Sequence, residues 1–158
     1  GKFLRRMLGG EFSVDEKTNS FLFAADRAEH LYGKNGIIEQ INNGKTVISD
    51  RYLFSSLAYQ SISCGEELPK LLNSTFPLPE ILFFFEIDPE ISLKRVDSRN
   101  EKKEIYEKIE TQKKIALEYE KIISEYENNP SCTMKIIRID ATKSIDEISE
   151  TISKIILQ

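Results

Sequence analysis

Residues 50–60 read DRYLFSSLAYQ, and this stretch decides which fold the rest of the chain indicates. It follows a short apolar run at residues 46–49 that predicts a strand, and it leads into a predicted helix. An acid and a guanidinium, Asp50 and Arg51, therefore stand at the predicted carboxyl end of a strand. Open α/β sheets bind their ligands at that edge, so the stretch predicts a site for phosphate and metal.

Two further apolar runs, at residues 80–87 and 134–139, also predict strands, and helical patterns separate all three. This alternation favours an α/β fold with a parallel sheet. The run at 80–87 is apolar on both faces, which is typical of a strand buried between helix layers. The sequence therefore predicts a single domain over residues 1–158, with a three-layer parallel sheet and helices on both faces.

The composition is that of an ordinary globular protein. The chain has 158 residues, of which 40% are apolar and 30% charged, and its net charge of −4 argues against nucleic acid as a partner. No apolar run approaches the roughly 20 residues that a membrane span needs, and no signal peptide is visible. Cys64 and Cys132 indicate two reduced thiols. We expect a cytoplasmic protein with no membrane partner.

The side chains of the 50–60 stretch suit a charged ligand. A carboxylate such as Asp50 can hold a magnesium ion, directly or through water. The guanidinium of Arg51 can clamp a phosphate through two parallel hydrogen bonds. Ser55 and Ser56 open the predicted helix, where unpaired amides and the helix dipole favour an anion. The alternative interpretation is a surface ion pair followed by an ordinary helix N-cap.

A second group of residues lies on an upstream predicted helix that runs to about Tyr32. Phe23 and Arg27 are four residues apart, so they share one face of that helix. A ring and a guanidinium one turn apart can stack on a planar base and donate a hydrogen bond to its edge. The alternative is that Phe23 is a core residue.

Cations that follow the second predicted strand form a third group. Arg95 and Arg99 stand at i and i+4, and the charge-rich segment 100–108 follows them. The default interpretation is a solvated helix face and a solvated charge run. The functional interpretation is contact with a nucleotide by Arg95 and Arg99, with residues 100–108 as a lid over a triphosphate.

A phosphate-binding loop is not found at Gly44-Lys45-Thr46. The pattern needs a glycine five residues before Gly44, and that position is Glu39. The order is also reversed, since Gly44 ends a predicted helix and precedes a strand. We interpret it as a helix C-cap.

Two strings, FAADRAEH at residues 23–30 and DRYLFSSLAYQ at residues 50–60, resemble the thymidylate kinase family. The resemblance extends from Gly1 to the last predicted helix. It implies transfer of the terminal phosphate of ATP to thymidine monophosphate (dTMP), with Mg²⁺, by a homodimer. By the same resemblance, Phe23 stacks on thymine, Arg27 bonds the base edge, and Arg51 holds the phosphate together with Arg5.

The resemblance also assigns roles along the predicted helix after Arg51. Ser55, Ser56 and Gln60 are implied as base and sugar contacts. Tyr59 is implied to crowd the ribose 2′ position and so to favour deoxyribose, and Asp50 is implied as the acid near magnesium.

The family's opening strand, phosphate loop, helix and second strand have no counterpart in these 158 residues. We expect a gap in the sheet, since the family's first strand lies between the strands predicted at 46–49 and 80–87. We also expect no kinase activity from this chain alone. A partial chain, a misassigned start and a shortened gene remain open, as do two other functions: a deoxynucleoside kinase, or a non-catalytic remnant that binds a nucleotide or a protein.

Overall fold

The computed structural model describes residues 1–97 and 108–157 as a helix-rich α/β protein. Its elements in chain order are α1 (Lys2–Leu8), α2 (Glu16–Tyr32), α3 (Ile37–Asn42), α4 (Leu53–Cys64), α5 (Glu67–Asn73), β1 (Ile81–Glu86), α6 (Pro89–Asp97), α7 (Ile109–Glu127), β2 (Lys135–Asp140) and α8 (Ile145–Ile156). They form two compact units. The helical unit contains Gly1–Phe76 and α7 as far as Ser124, and the sheet unit contains the remaining described residues.

The helical unit is built around α2 and α4. Helix α2 packs against α3, α4 and α5, and α4 also packs against α5. The apolar side of α4 is buried because its apolar residues recur at helical spacing; these residues are Leu53, Phe54, Leu57 and Ala58. Helix α7 adds Ile115, Ile122 and Ile123 to the buried set. The polar side of α4 is therefore held in place by a packed apolar side.

The N-cap of α2 differs from the one that the sequence predicts. Residues 13–16 favour a capping box with Ser13 as the cap, but the observed N-cap is Asp15. Its carboxylate accepts hydrogen bonds from the backbone N–H groups of Lys17 and Thr18. A carboxylate at this position both satisfies two unpaired amides and interacts favourably with the helix dipole. The predicted end of the helix, at Tyr32, is confirmed.

The sheet unit contains the two predicted strands that do form. β1 and β2 are parallel neighbours in a two-stranded sheet, with Ile81 opposite Lys135 and Glu86 opposite Asp140. After β1, the carboxylate of Asp88 caps α6 by accepting from the N–H of Glu90. After β2, a complete capping box opens α8. The sequence predicts both caps, since Asp88 precedes Pro89 and Ser144 stands three residues before Glu147, and it predicts the parallel α/β class; all three are confirmed.

The prediction of a strand at residues 46–49 is wrong. This segment is irregular, and Ile48 within it is 78% exposed. A strand is stable only when its backbone groups pair with a neighbour, and the described part of the helical unit contains no strand beside it. Helix layers on both faces of a larger sheet stay a prediction. None of the described helices is long and apolar enough to cross a membrane.

Ile123→Ala should lower the free energy of unfolding by about 2 to 5 kcal/mol, because truncation leaves a cavity in a packed interior. The side chain of Ile123 is 0% exposed, whereas Leu117 on the same helix is 71% exposed. Leu117→Ala is thus the matched control and should change the free energy of unfolding by less than about 0.5 kcal/mol. Urea denaturation followed by circular dichroism measures both. Equal effects at the two positions would contradict the assigned core.

Candidate functional site

Four residues form a polar face at the start of α4. Tyr52 precedes the helix, and Ser55, Ser56 and Tyr59 follow at spacings of three and four residues, so all four point to one side. We call this set the α4 polar face. Ser56 is only 4% exposed, whereas Tyr59 is half-buried. The same helical period that buries the apolar side of α4 therefore gathers these hydroxyl groups opposite it.

Arg27 reaches from α2 into the α4 polar face. Its Nη2 donates to Ser56 Oγ at 2.9 Å and to the carbonyl oxygen of Tyr52 at 3.3 Å. Its Nη1 donates to Asn73 Oδ1, at the end of α5, at 2.5 Å. The guanidinium carbon lies 5.6 Å from the ring centroids of both Tyr52 and Phe76. We call Tyr52, Ser56, Asn73 and Phe76 the Arg27 clamp.

The clamp controls what else Arg27 can bind. A guanidinium has five N–H donors. Two pairs of these N–H bonds are parallel, Nε with Nη2 and Nη1 with Nη2, so both pairs include Nη2. Both Nη2 hydrogens are used within the clamp. No hydrogen bond of the described residues uses the Nε hydrogen of Arg27 or the second Nη1 hydrogen. These two N–H bonds do not form a parallel pair. Burial also lowers the pKa of Arg27, although a guanidinium stays protonated at neutral pH. Arg27 is therefore a cation suited to single acceptors.

Arg51 approaches the same face from the other end. It lies over the ring of Tyr59, with the guanidinium carbon 5.5 Å from the centroid, and its Nη1 donates to the Tyr59 hydroxyl at 3.2 Å. Burial acts to lower the pKa of Arg51, but the electrostatic interactions with Tyr59, Tyr119 and Asp50, together with the hydrogen bond to Tyr59, outweigh burial and raise this pKa above its ordinary value. These two phenols account for at most two of the five donors. Arg51 therefore keeps enough donors to clamp a phosphate.

The backbone at Arg51 is strained. Its φ is 66°, in the left-handed region that side chains other than glycine rarely adopt. The Ser49 hydroxyl donates to the Arg51 carbonyl oxygen at 2.8 Å and so supports the turn. Strain of this kind persists where the side chain has a function that glycine cannot supply.

Tyr119 is a site residue that the sequence did not indicate. The sequence pattern places it on the apolar face of a long charged helix. In the structure, its hydroxyl lies 2.7 Å from Ser55 Oγ, and its ring meets Tyr59 edge-on with centroids 6.2 Å apart. Burial raises the pKa of Tyr119, so the phenol is neutral at physiological pH. A tyrosine at core spacing gives no sequence signal of such a role.

The other predicted site residues are less engaged. Phe23 is half-buried, one turn before Arg27 on α2. Gln60 is 2% exposed, and its Oε1 has no hydrogen-bond partner among the described residues. Arg5 on α1 and Asp50 are exposed. The structure thus connects Arg27, Arg51, Ser55, Ser56 and Tyr59 through the α4 polar face, and it shows no contact of Arg5 or Asp50 with that face.

Arg95 lies in the sheet unit. Its Nη1 donates to the Ala141 carbonyl oxygen at 2.6 Å and its Nη2 to the Thr142 carbonyl oxygen at 3.4 Å, which supports the turn after β2. Contact of Arg95 with a nucleotide stays a prediction. Arg99 and residues 100–107 of the predicted lid lie outside the described residues, and Lys108 directly precedes α7.

The described residues offer few ligands for a metal ion. Within residues 1–97 and 108–157, no three His, Cys, Asp or Glu side chains cluster as a metal site. Mg²⁺ does not need such a cluster, because it is commonly held by one or two carboxylates, water and the phosphates of a substrate. The exposed carboxylate of Asp50 fits that kind of site.

The sheet unit contains a parallel pair of strands, and in the helical unit two guanidinium groups contact one face of α4. The model of the thymidylate kinase family matches residues 1–152. A thymidylate kinase of Leptospira interrogans is 37% identical over 99% of this chain and 73% of its own length. One of Leptospira borgpetersenii is 34% identical over 100% and 73%. A Treponema pallidum relative is 38% identical over 96% and 73%. The chain therefore belongs to the thymidylate kinase family of phosphotransferase enzymes.

Arg51→Gly should be more stable than Arg51→Ala by about 1 kcal/mol, because both variants lack the side chain but only glycine adopts a positive φ without strain. Urea denaturation of the two variants gives the difference. Lys45 is the matched control, since it is an exposed loop residue whose φ is not positive. There glycine should be the less stable of the two, because it adds freedom to the unfolded chain. The same order at both positions would contradict the strain.

Proposed function

We propose that this protein transfers the γ-phosphate of ATP to dTMP and that the α4 polar face holds dTMP. One observation carries the proposal: Arg27 and Arg51 both contact the α4 polar face, at Ser56 and Tyr59, with different donors left for a ligand. Ser56 and Tyr59 are three residues apart on one helix, so the two cations lie on the same side. A ligand with a planar polar end and a phosphate end matches such a pair.

Arg27 is proposed to bind the base. Because its two unused donors do not form a parallel pair, it is suited to single carbonyl oxygens on a pyrimidine rather than to a phosphate. Phe23 lies one turn earlier on α2, and its ring is proposed to stack on the same base. The buried, unpartnered Oε1 of Gln60 adds an acceptor for a base N–H group.

Arg51 is proposed to hold the monophosphate, with Arg5 as a second cation. Tyr59, which contacts Arg51, is proposed to crowd the ribose 2′ position. Ser55 and Ser56 are bonded to Tyr119 and Arg27, so their first role is to hold those side chains. A hydroxyl can also make further hydrogen bonds, which leaves both serines able to contact dTMP.

Phosphoryl transfer needs positioning and neutralisation of charge more than it needs a protein nucleophile. The described side chains fit that requirement, since they offer cations and hydroxyl groups. Asp50 is the residue proposed to hold Mg²⁺, which when bound would neutralise charge on the phosphates. Homodimer formation also stays a prediction.

Variants of two arginines test separately which one binds the phosphate of the proposed ligand and which one binds its base. Arg51→Met should weaken dTMP binding by about 10- to 100-fold, the cost of losing charged hydrogen bonds, and should leave thymidine binding unchanged. Arg27→Met should weaken both ligands. Isothermal titration calorimetry with dTMP and thymidine measures these affinities, and thermal melting checks that each variant is folded.

Arg6→Met is the matched control, because Arg6 is an exposed arginine of α1 that bonds Glu11. It should change neither affinity. If Arg51→Met weakened thymidine as much as dTMP, or if thymidine bound as tightly as dTMP to the unaltered chain, a deoxynucleoside kinase would be favoured instead.

A polypeptide of these 158 residues should bind dTMP without transferring phosphate. Its sequence contains no Gly-x-x-x-x-Gly-Lys-Ser/Thr loop, whose backbone amides cradle ATP phosphates in enzymes of this kind. A coupled assay of ADP release, with ATP, dTMP and Mg²⁺ present, measures turnover. Release of ADP that depends on dTMP would show that the chain provides another phosphate cradle.

A further inference from the structure

Helix α5 carries none of the residues predicted for the site, yet its last residue contacts Arg27. Asn73 is 6% exposed. Its Nδ2 donates to the Pro69 carbonyl oxygen, one turn earlier, at 2.7 Å. Its Oδ1 accepts from Arg27 Nη1 at 2.5 Å. Both ends of the amide are therefore bonded.

The bond to Pro69 sets the direction of the amide. Because the amide nitrogen donates to Pro69, the amide oxygen must face the guanidinium. The flipped amide would bring its own N–H groups against a cation that only donates, and it would leave both groups unsatisfied in a buried place. Asn73 is thus a buried acceptor of fixed direction, directed at one nitrogen of Arg27.

The other members of the clamp leave one motion of Arg27 open. The rings of Tyr52 and Phe76 restrict the plane of the guanidinium. Ser56 Oγ and the Tyr52 carbonyl oxygen both bond Nη2, the second at 3.3 Å, so they anchor one nitrogen and only weakly resist a pivot of the guanidinium about it within its plane. The Nη1 bond to Asn73 is the contact in the clamp that prevents this pivot.

We propose that Asn73 is a positioning residue that sets the base selectivity of the site. This inference rests on the proposed function. By preventing the pivot, Asn73 directs the unused donors of Arg27 at one point on the edge of the pyrimidine. A guanidinium only donates, so a carbonyl oxygen at that point is accepted and an amino group is rejected. Without Asn73 the guanidinium moves away, and discrimination between carbonyl- and amino-bearing pyrimidines falls.

The test compares dTMP with deoxycytidine monophosphate (dCMP), which differs at that edge, by calorimetric titration of the chain and three variants. Asn73→Leu removes the acceptor at similar volume. It should weaken dTMP about tenfold, the cost of one hydrogen bond to a charged group, and leave dCMP unchanged, so selectivity falls by the same factor. Asn73→Asp keeps an acceptor for Nη1 and loses only the donor to Pro69, so it should keep more of the selectivity than Asn73→Leu. Asn19→Leu alters another buried asparagine, on α2, and should not change selectivity.

If Asn73→Leu does not fold, Asn73→Ser gives the same test, because its shorter side chain does not reach Nη1. Equal weakening of dTMP and dCMP in these variants would show a merely structural role and overturn the inference. Selectivity in Asn73→Asp as low as in Asn73→Leu would also overturn it. If the unaltered chain does not bind dTMP, both the proposed function and this inference fail. If the unaltered chain binds dTMP and Asn73→Leu keeps the same selectivity, only the inference is overturned.

Discussion

The half-buried guanidinium of Arg27 is the constraint on which the rest of the site depends. A cation taken out of water must find hydrogen-bond acceptors, because leaving it unpaired costs several kcal/mol. Arg27 finds them on α4 and at the end of α5, at Ser56, the Tyr52 carbonyl oxygen and Asn73. One side chain of α2 therefore joins three helices, and the donors of Arg27 that stay available for a ligand are those that these three hydrogen bonds do not use.

Helix α4 serves both packing and chemistry through the same periodicity. Its apolar residues at 53, 54, 57 and 58 are buried, and the residues between them at 52, 55, 56 and 59 carry the polar contacts. Packing of the buried side fixes the position and rotation of the helix, and hydrogen bonds to Arg27, Tyr119 and Arg51 hold the hydroxyl groups on the opposite side. Arg51, kept in a left-handed backbone conformation, enters this face from before the helix.

Much of the candidate site could be predicted because its residues are close in sequence. Helical spacing placed Phe23 with Arg27, since residues four apart share a face, whereas Ser55 and Ser56 followed from the predicted helix start and Tyr59 from the resemblance to the family. The wrong prediction at residues 46–49 has the opposite cause. Strand propensity is local, but a strand exists only beside a partner, and no such partner lies among the described residues of that unit.

Local patterns in the sequence were sufficient to predict the parallel α/β class, most helix ends and caps, and the family. The class follows from propensity, the helix ends and caps from capping chemistry, and the family from two short strings. Only the tertiary contacts decided which donors of Arg27 are used. They also brought Ser55 to Tyr119 and Asn73 to Arg27. Those partners lie 46 and 64 residues apart along the chain. No spacing rule connects such distant positions, since only the packing of α2, α4, α5 and α7 brings them within hydrogen-bond reach.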